Sequence, residues 1–479
     1  MSAPARPADL DAIVVGAGPN GLAAAITLAR AGRSVTILEA TPAAGGGSRS
    51  AELTLPGFIH DPCSAIHGVA LASPFLRTVD LAARGVEWVH PAVPVAHPLG
   101  GDRSAILERS VQTTADALGP DGRAWRRLFG PLVRDAERLM PELLGPVAHL
   151  PRHPLALARF GLPALRSTRG LARSRFDSEE ARALFAGIAA HSMLPLTAPL
   201  SASFGLVLAM VAHAHGWPLA RSGSQAVADA LIAEATDLGV EIVTDHPVRA
   251  MSDLPPARAV LFALTPRQVV SIAGDRLATG PRRRLEGFRY GPGVFKLDWA
   301  LDGPIPWTAP DVGRAATVHL GGTLDEIAAS EAEVNAGRHP ERPYVLLVQP
   351  TLFDPTRAPT GKHTAWAYCH VPNGSAIDMT NRIEDQVERF APGFRDLILA
   401  RRAWSPSDME RYDENYVGGD INGGIQDWRQ LIFRPSPSLD PYHLGRGLYL
   451  CSSSTPPGGG VHGMSGWHAA RSALRRDLA

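Results

Sequence analysis

The chain has 479 residues with 47 basic and 47 acidic side chains. Its formal charge is zero, so no global field draws it to nucleic acid or an anionic surface, and either partner needs a local patch. Apolar residues make up 45% and charged ones 20%, a composition that fits two or three packed globular units and excludes a stapled mini-scaffold or a low-complexity polymer.

Met1 to Leu10 carries no secretory signal, and the first apolar run begins at Ala12. Asp11 to Val15 reads as a strand, followed by Gly16-Ala17-Gly18-Pro19-Asn20-Gly21 and an Ala/Leu-rich helix ending at Gly32. Ser34 to Leu38 alternates like a second buried strand and ends on Glu39, which completes a βαβ unit with parallel pairing. In that context Gly16 permits the tight turn, Gly18 lets backbone approach a pyrophosphate and Gly21 lets the helix pack on the strand. The helix N-terminus offers its N–H groups to the phosphates, and Glu39 can accept both hydroxyls of a ribose. Gly45-Gly46-Gly47-Ser48-Arg49 then supplies a second glycine-rich stretch that could wrap the far side of the same pyrophosphate.

His60, Cys63 and His67 have a tempting zinc spacing but no evident fourth ligand, so packing or a polar contact is expected of them. From Leu71 to about His215 the pattern is mostly helical, and Leu200 to Ala214, broken by Ser201, Ser203 and His213, reads as a buried helix rather than a membrane span. His213 and His215 lie two apart and do not share a helical face. Leu143 to Phe176 contains no acidic residue but interleaves Arg152, Arg159, Arg166, Arg169, Arg173 and Arg175 with Leu, Ala and Phe. Two readings of this basic patch stand side by side: peripheral membrane contact through 150–176, or a solvated cover over the helical block. Pro154, Gly161 and Pro163 break any long amphipathic helix there.

Ser224 to Leu238 reads as an amphipathic helix closed by Gly239, followed by strands at Val240 to Thr244 and Ala259 to Leu264. Further strands are expected at Val294 to Leu301, Ala316 to Leu320, Tyr344 to Val348 and Thr364 to His370. The chain closes on a strand at Leu448 to Cys451, the loop Ser452 to Gly463 and a helix from Met464 to Arg476. Lysine occurs only at 296 and 362. A chain so biased towards arginine keeps lysine where a compact amine with a shiftable pKa is wanted. Alternation along Val294 to Leu301 puts Lys296 and Asp298 on one face, opposite Phe295 and Leu297.

These motifs resemble the flavin amine-oxidase superfamily. Glu39 followed by the Gly45 to Gly47 stretch is similar to its N-terminal signature, although Gly47 stands where that family usually has arginine and Arg49 follows two residues later. Gly458-Gly459-Gly460-Val461-His462-Gly463 before a helix resembles the C-terminal flavin motif of the phytoene-desaturase and carotenoid-isomerase branch. Tyr416 to Gly424 is more narrowly similar to the group named pyridine nucleotide-disulphide oxidoreductase domain-containing protein 2. No Cys-x-x-Cys is present, so dithiol chemistry is excluded.

The resemblance implies an α/β fold: a Rossmann-like FAD-binding domain of the amine-oxidase type from 1–70, 220–290 and 440–479, with an inserted α+β substrate domain from 71–219 and 291–439. It implies FAD held by Gly16, Gly18, Pro19, Asn20, Gly21, Glu39, Gly46, Gly47, Ser48, Arg49, Val248, Gly459, Gly460 and Val461. Val248 would clasp the adenine through its backbone. Lys296 would hold a water near the flavin, and His462 would face the substrate side of the ring. The expected activity is that of an FAD-dependent oxidoreductase removing hydride from a C–H or C–N bond of a small apolar substrate, as a desaturase, dehydrogenase or isomerase-like enzyme. An amine oxidase using oxygen and a non-catalytic flavin-binding regulator are the alternatives. No metal, nucleic acid or stably bound nicotinamide is expected, and the cytoplasm is the expected compartment, since three odd, scattered cysteines build no disulfide framework.

Overall fold

The computed structural model describes residues 10–479, so the expectation for Met1 to Leu10 lies outside the described residues except at Leu10. In chain order the main strands are β1 (Leu10–Val15), β2 (Val35–Leu38), β3 (Val93–Gly100), β4 (Arg103–Leu107), β5 (Glu241–Val243), β6 (Ala257–Phe262) and β7 (Gly293–Leu301). They continue with β8 (Ala315–Leu320), β9 (Val345–Val348), β10 (His363–Val371), β11 (Ile398–Trp404), β12 (His443–Gly445) and β13 (Leu448–Leu450). The helices that matter below are α1 (Pro19–Arg30), α2 (Pro154–Ala164), α3 (Glu179–Ala189), α4 (Ser201–Ala214), α5 (Gln225–Asp237), α6 (Leu324–Asn335), α7 (Thr380–Phe390) and α8 (Met464–Arg476).

Six strands form the first sheet in the order β12-β13-β6-β1-β2-β5. It is parallel except for the edge pair β12 and β13. Ala12 to Val15 are buried on both faces, as a parallel sheet covered on both sides requires, which is why the run reads as continuously apolar rather than alternating. Sequentially remote segments thus meet in one layer: β1 lies between β2 and β6, and β6 carries β13 from near the chain's end.

Seven strands form the second sheet in the order β11-β7-β10-β9-β8-β3-β4, antiparallel but for β3 against β8. Its two faces differ in chemistry. Phe295, Leu297, Val318, Leu347, Ala367 and Cys369 point to one side and pack with Ile383, Val387 and Phe390 of α7, each fully buried large side chain worth about 1.5–3 kcal/mol. The register places Lys296 opposite Tyr368, Asp298 opposite Trp366, Leu346 opposite Tyr368 and His319 opposite Leu346 on the other side. The expected alternation of Lys296 and Asp298 against Phe295 and Leu297 therefore holds.

The block from 71 to 215 is not wholly helical. It contributes β3 and β4 to the second sheet, with β3 an interior strand. Pro94 and Pro98 lie within β3 and interrupt the pattern that identifies strands, because proline lacks the ladder N–H. Trp88–Val89 adds a short strand against Leu219–Ala220; most of the remainder is helical as expected, and α4 buries Leu206, Ala209, Met210 and His213. Among the described residues no helix is long and apolar enough to cross a membrane.

Candidate active site

The site begins at the turn between β1 and α1. Gly16 has φ +99°, a left-handed conformation that glycine adopts without strain. A side chain on Gly21 would collide with the Gly16 carbonyl, so the helix sits directly on the turn. Gly18 is the extended N-cap of α1 and no side chain caps it, which leaves the first-turn N–H groups and the positive end of the helix dipole for an anion. Glu39 is buried at the end of β2. Its Oε2 accepts from the Ala17 N–H at 2.7 Å, and its Oε1 accepts from the Thr41 N–H at 3.0 Å and the Thr41 hydroxyl at 2.8 Å. A carboxylate has about four acceptor sites, so capacity for a ribose hydroxyl is left.

The second glycine loop lies against the first. The Gly45 N–H donates to the Ala17 carbonyl at 3.0 Å, and a Cβ on Gly46 would fall 2.9 Å from the Gly18 Cα. Glycine stands at position 47 for a steric reason: the Tyr416 hydroxyl occupies the place a Cβ would take. Arg49 turns back on its own loop, donating to the Gly46 carbonyl at 2.9 Å and stacking on Tyr412 at 4.5 Å.

The C-terminal motif arrives at the same point. A Cβ on Gly466 in α8 would strike the Asn20 carbonyl, and one on Gly463 would fall 2.9 Å from the Ala23 Cβ. The two glycine helices, α1 and α8, therefore cross backbone to backbone near their N-termini. Gly459 and Gly460 are exposed on the approach. A Cβ on Gly459 would lie 3.3 Å from Asn422, so the Tyr416 to Gly424 segment touches both the first-domain loop and the C-terminal loop. Sequence reading assigned no role to that segment, although its glycines marked it.

His462 is buried and its Nδ1 accepts the Met464 N–H at 3.0 Å. Its carbonyl accepts the Ser73 hydroxyl at 2.6 Å. Burial lowers its pKa to about 4, so the ring is neutral at pH 7 and the helix-facing nitrogen is the unprotonated one. Val248 packs with Ile13, Val15 and Leu38 beneath the first sheet.

Lys296 is buried. Its Nζ lies 2.5 Å from Asp298 Oδ1 and 5.1 Å from the Trp366 ring centre. The other carboxylate oxygen accepts the Trp404 indole N–H at 2.9 Å. His60 Nδ1 stands 3.6 Å from the same Asp298, and its Nε2 lies 2.8 Å from the Thr54 hydroxyl. Burial lowers His60 to about 4. Cys63 is pushed up to about 12 by burial and touches the Gly47 and Tyr416 neighbourhood, while His67 bonds Ser224 at 2.9 Å. His60, Cys63 and His67 thus take separate partners.

Sequence reading missed the clamp that holds this floor in place. Asp61 pairs with Arg357 at 2.5 Å and accepts from the Ser50 hydroxyl and the Ser224 N–H, while Arg357 also reaches Asp354 at 3.2 Å and the Ala220 carbonyl at 3.0 Å. Both members of the Asp61–Arg357 pair are inaccessible. Nothing local in the sequence announces a pair 296 positions apart.

The residues present fit FAD. The Asn20 Oδ1 and Ser48 Oγ are buried without a partner beside the uncapped helix, and the two glycine loops form a cradle that side chains would fill. Comparison with known proteins agrees. The rat pyridine nucleotide-disulfide oxidoreductase domain-containing protein 2 is 26% identical over 98% of this chain and 94% of its own. The phytoene dehydrogenase of Streptomyces griseus is 28% identical over 81% of this chain and 77% of its own. A solved putrescine oxidase bound to putrescine shares the fold, with a TM-score of 0.62 at 17% identity over 98% of this chain and 99% of that one. The model of the FAD dependent oxidoreductase family matches residues 11–276, more than half of the sequence, and the chain belongs to that family.

Proposed function

We propose that this FAD-dependent oxidoreductase dehydrogenates a largely apolar substrate, taking hydride from a C–H or C–N bond held on the polar side of the second sheet. The observation that carries it is the meeting of α1, the Gly45 to Gly47 loop and α8 at one point, with the buried Lys296–Asp298 pair on the strand that faces it through Cys63 and Tyr416. Gly16, Gly18, Pro19, Asn20 and Gly21 would bind the pyrophosphate with Gly46, Gly47, Ser48 and Arg49. Glu39 would bind the ribose, Val248 the adenine, and Gly459, Gly460 and Val461 the ring. Bound there, FAD supplies a two-electron acceptor. Lys296, fixed by Asp298, would hold a water, and His462, whose Nε2 has no partner, would touch the substrate. Purified protein should bind one FAD per chain and bleach on anaerobic photoreduction. A colourless protein that takes up no added FAD would sink this reading.

Peripheral contact with an anionic membrane is part of the same proposal. Helix α2 buries Ala156, Phe160 and Ala164 but leaves Leu155 at 80% and Leu162 at 72% exposure, with Leu150 at 93% and Leu165 at 62% beside it. Exposed Arg152, Arg159 and Arg166 flank these aliphatic side chains, a combination that suits an acidic headgroup layer over an acyl boundary. In flotation assays the protein should rise with phosphatidylglycerol vesicles and not with phosphatidylcholine, and the double substitution Leu155→Glu with Leu162→Glu should abolish flotation.

A further inference from the structure

The inward side of the second sheet is far more polar than a wall for a hydrocarbon needs to be. Among the described residues, fifteen buried side-chain polar atoms lack a hydrogen-bond partner, and six of them belong to this one face: His97 Nδ1, Thr317 Oγ1, His319 Nδ1, Thr364 Oγ1, Trp366 Nε1 and His370 Nε2. The opposite face contributes none, and its one indole there, Trp299, is satisfied by Glu384 at 3.2 Å. Buried polar groups are ordinarily paired, so a cluster of unpaired ones on one side of one sheet points to a ligand or to solvent that completes them.

Geometry fixes what two of those atoms want. His97 Nε2 lies 2.7 Å from the Gly322 carbonyl. A carbonyl only accepts, so the proton is on Nε2 and Nδ1 presents a lone pair. His370 Nδ1 lies 2.8 Å and 2.9 Å from the two oxygens of Glu331, a buried carboxylate on α6. A carboxylate likewise only accepts, so Nδ1 carries a proton, and in the neutral ring Nε2 then presents the lone pair. Gly187 of α3 packs directly on His97 and His319: a Cβ there would fall 2.9 Å and 3.0 Å from their Nδ1 atoms, so only a glycine lets the helix approach this closely. His319 continues the line to His191, whose Nε2 is 3.0 Å from its own Nε2. Burial lowers His97 to about 4 and His191 to about 3, which keeps these rings neutral.

We infer that the substrate carries an O–H or N–H group and that His370, oriented by Glu331, accepts a hydrogen bond from it. This rests on the reading of the polar face as the substrate side. A pure hydrocarbon would leave the His370 lone pair unanswered, and a carboxylate would meet that lone pair with the Glu331 charge behind it. An alcohol or an amine answers both, and the Glu331 carboxylate favours the donor that carries positive charge. His370 is here a recognition residue, and Glu331 positions it.

Calorimetric titration of the FAD-loaded protein with 1-octanol, octylamine, octanoate and oct-1-ene tests this. The alcohol or the amine should bind at least tenfold more tightly than oct-1-ene and octanoate, and the tighter of the two identifies which donor is used. His370→Leu should erase that preference and His370→Gln, which keeps an acceptor, should restore part of it, with the flavin content of both equal to that of the parent. Equal binding of all four probes, no binding of any, or a preference that survives His370→Leu overturns the inference. The comparison in the parent protein needs no variant, so a misfolded substitution leaves the test intact. Flavin content and photobleaching on the same samples separate the two readings: a loaded, reducible protein without preference refutes only the donor group, whereas a protein without flavin refutes the proposed function.

Discussion

Asp61 and Arg357 show how a single pair ties the loop after the glycine turns to the segment between β9 and β10 of the second sheet. Burial pushes the Asp61 carboxyl up, but the Arg357 guanidinium and the donors from Ser50 and Ser224 hold it below its ordinary value, so its negative charge belongs to the folded state. Asp61→Asn removes that charge and leaves Arg357 buried with Asp354 alone. Breaking a buried pair from one side costs about 3–5 kcal/mol, and urea unfolding should register a loss of that size with an unchanged slope. Residues of this kind are invisible in a sequence, because each partner alone is an ordinary polar residue. By contrast the turn at Gly16, the packing of Gly21 and the place of Glu39 at the end of β2 were legible, since they depend on neighbours within one βαβ unit. For Arg49 the sequence suggested a phosphate partner, and its stacking on Tyr412 depends on a segment more than 360 positions away.

At the level of elements, many strand and helix identities followed from local pattern, though β4 and β11 were not expected. The continuous apolar run of β1, the alternation of β7 and the glycine-bounded helix α8 are such cases. β3 escaped because Pro94 and Pro98 break the period, although the strand pairs on both sides. The crossing of α1 and α8 was expected only as a shared ligand, yet it is a backbone contact that glycine makes possible. Gly466→Val forces two branched carbons against the Asn20 carbonyl. Overpacking of this kind costs about 1–3 kcal/mol, and it should both lower the melting temperature and release flavin during gel filtration, whereas Gly313→Ala, at an exposed glycine with nothing near its Cβ position, should leave flavin bound.

Over the whole molecule, neutral buried histidines couple stability to pH. His60, His67, His97, His213 and His462 are each lowered to about 4, in every case chiefly by burial. In the unfolded chain they titrate near about 6.5. Between those values the unfolded state binds protons that the folded state refuses, so the stability present above pH 6.5 falls as the pH drops and levels off below about 4. Calorimetry should show a lower melting temperature at pH 5 than at pH 7.5, and an unchanged or higher value at pH 5 would contradict the burial of these rings.

The crossing of the two glycine helices also orders events in time. A ribosome delivers α1 and the first glycine loop early, but their partner surface is α8, which leaves the exit tunnel only after Met464 has been translated. Until then the surface of α1 that Gly466 meets stays uncovered, and the crossing forms only once both helices are present.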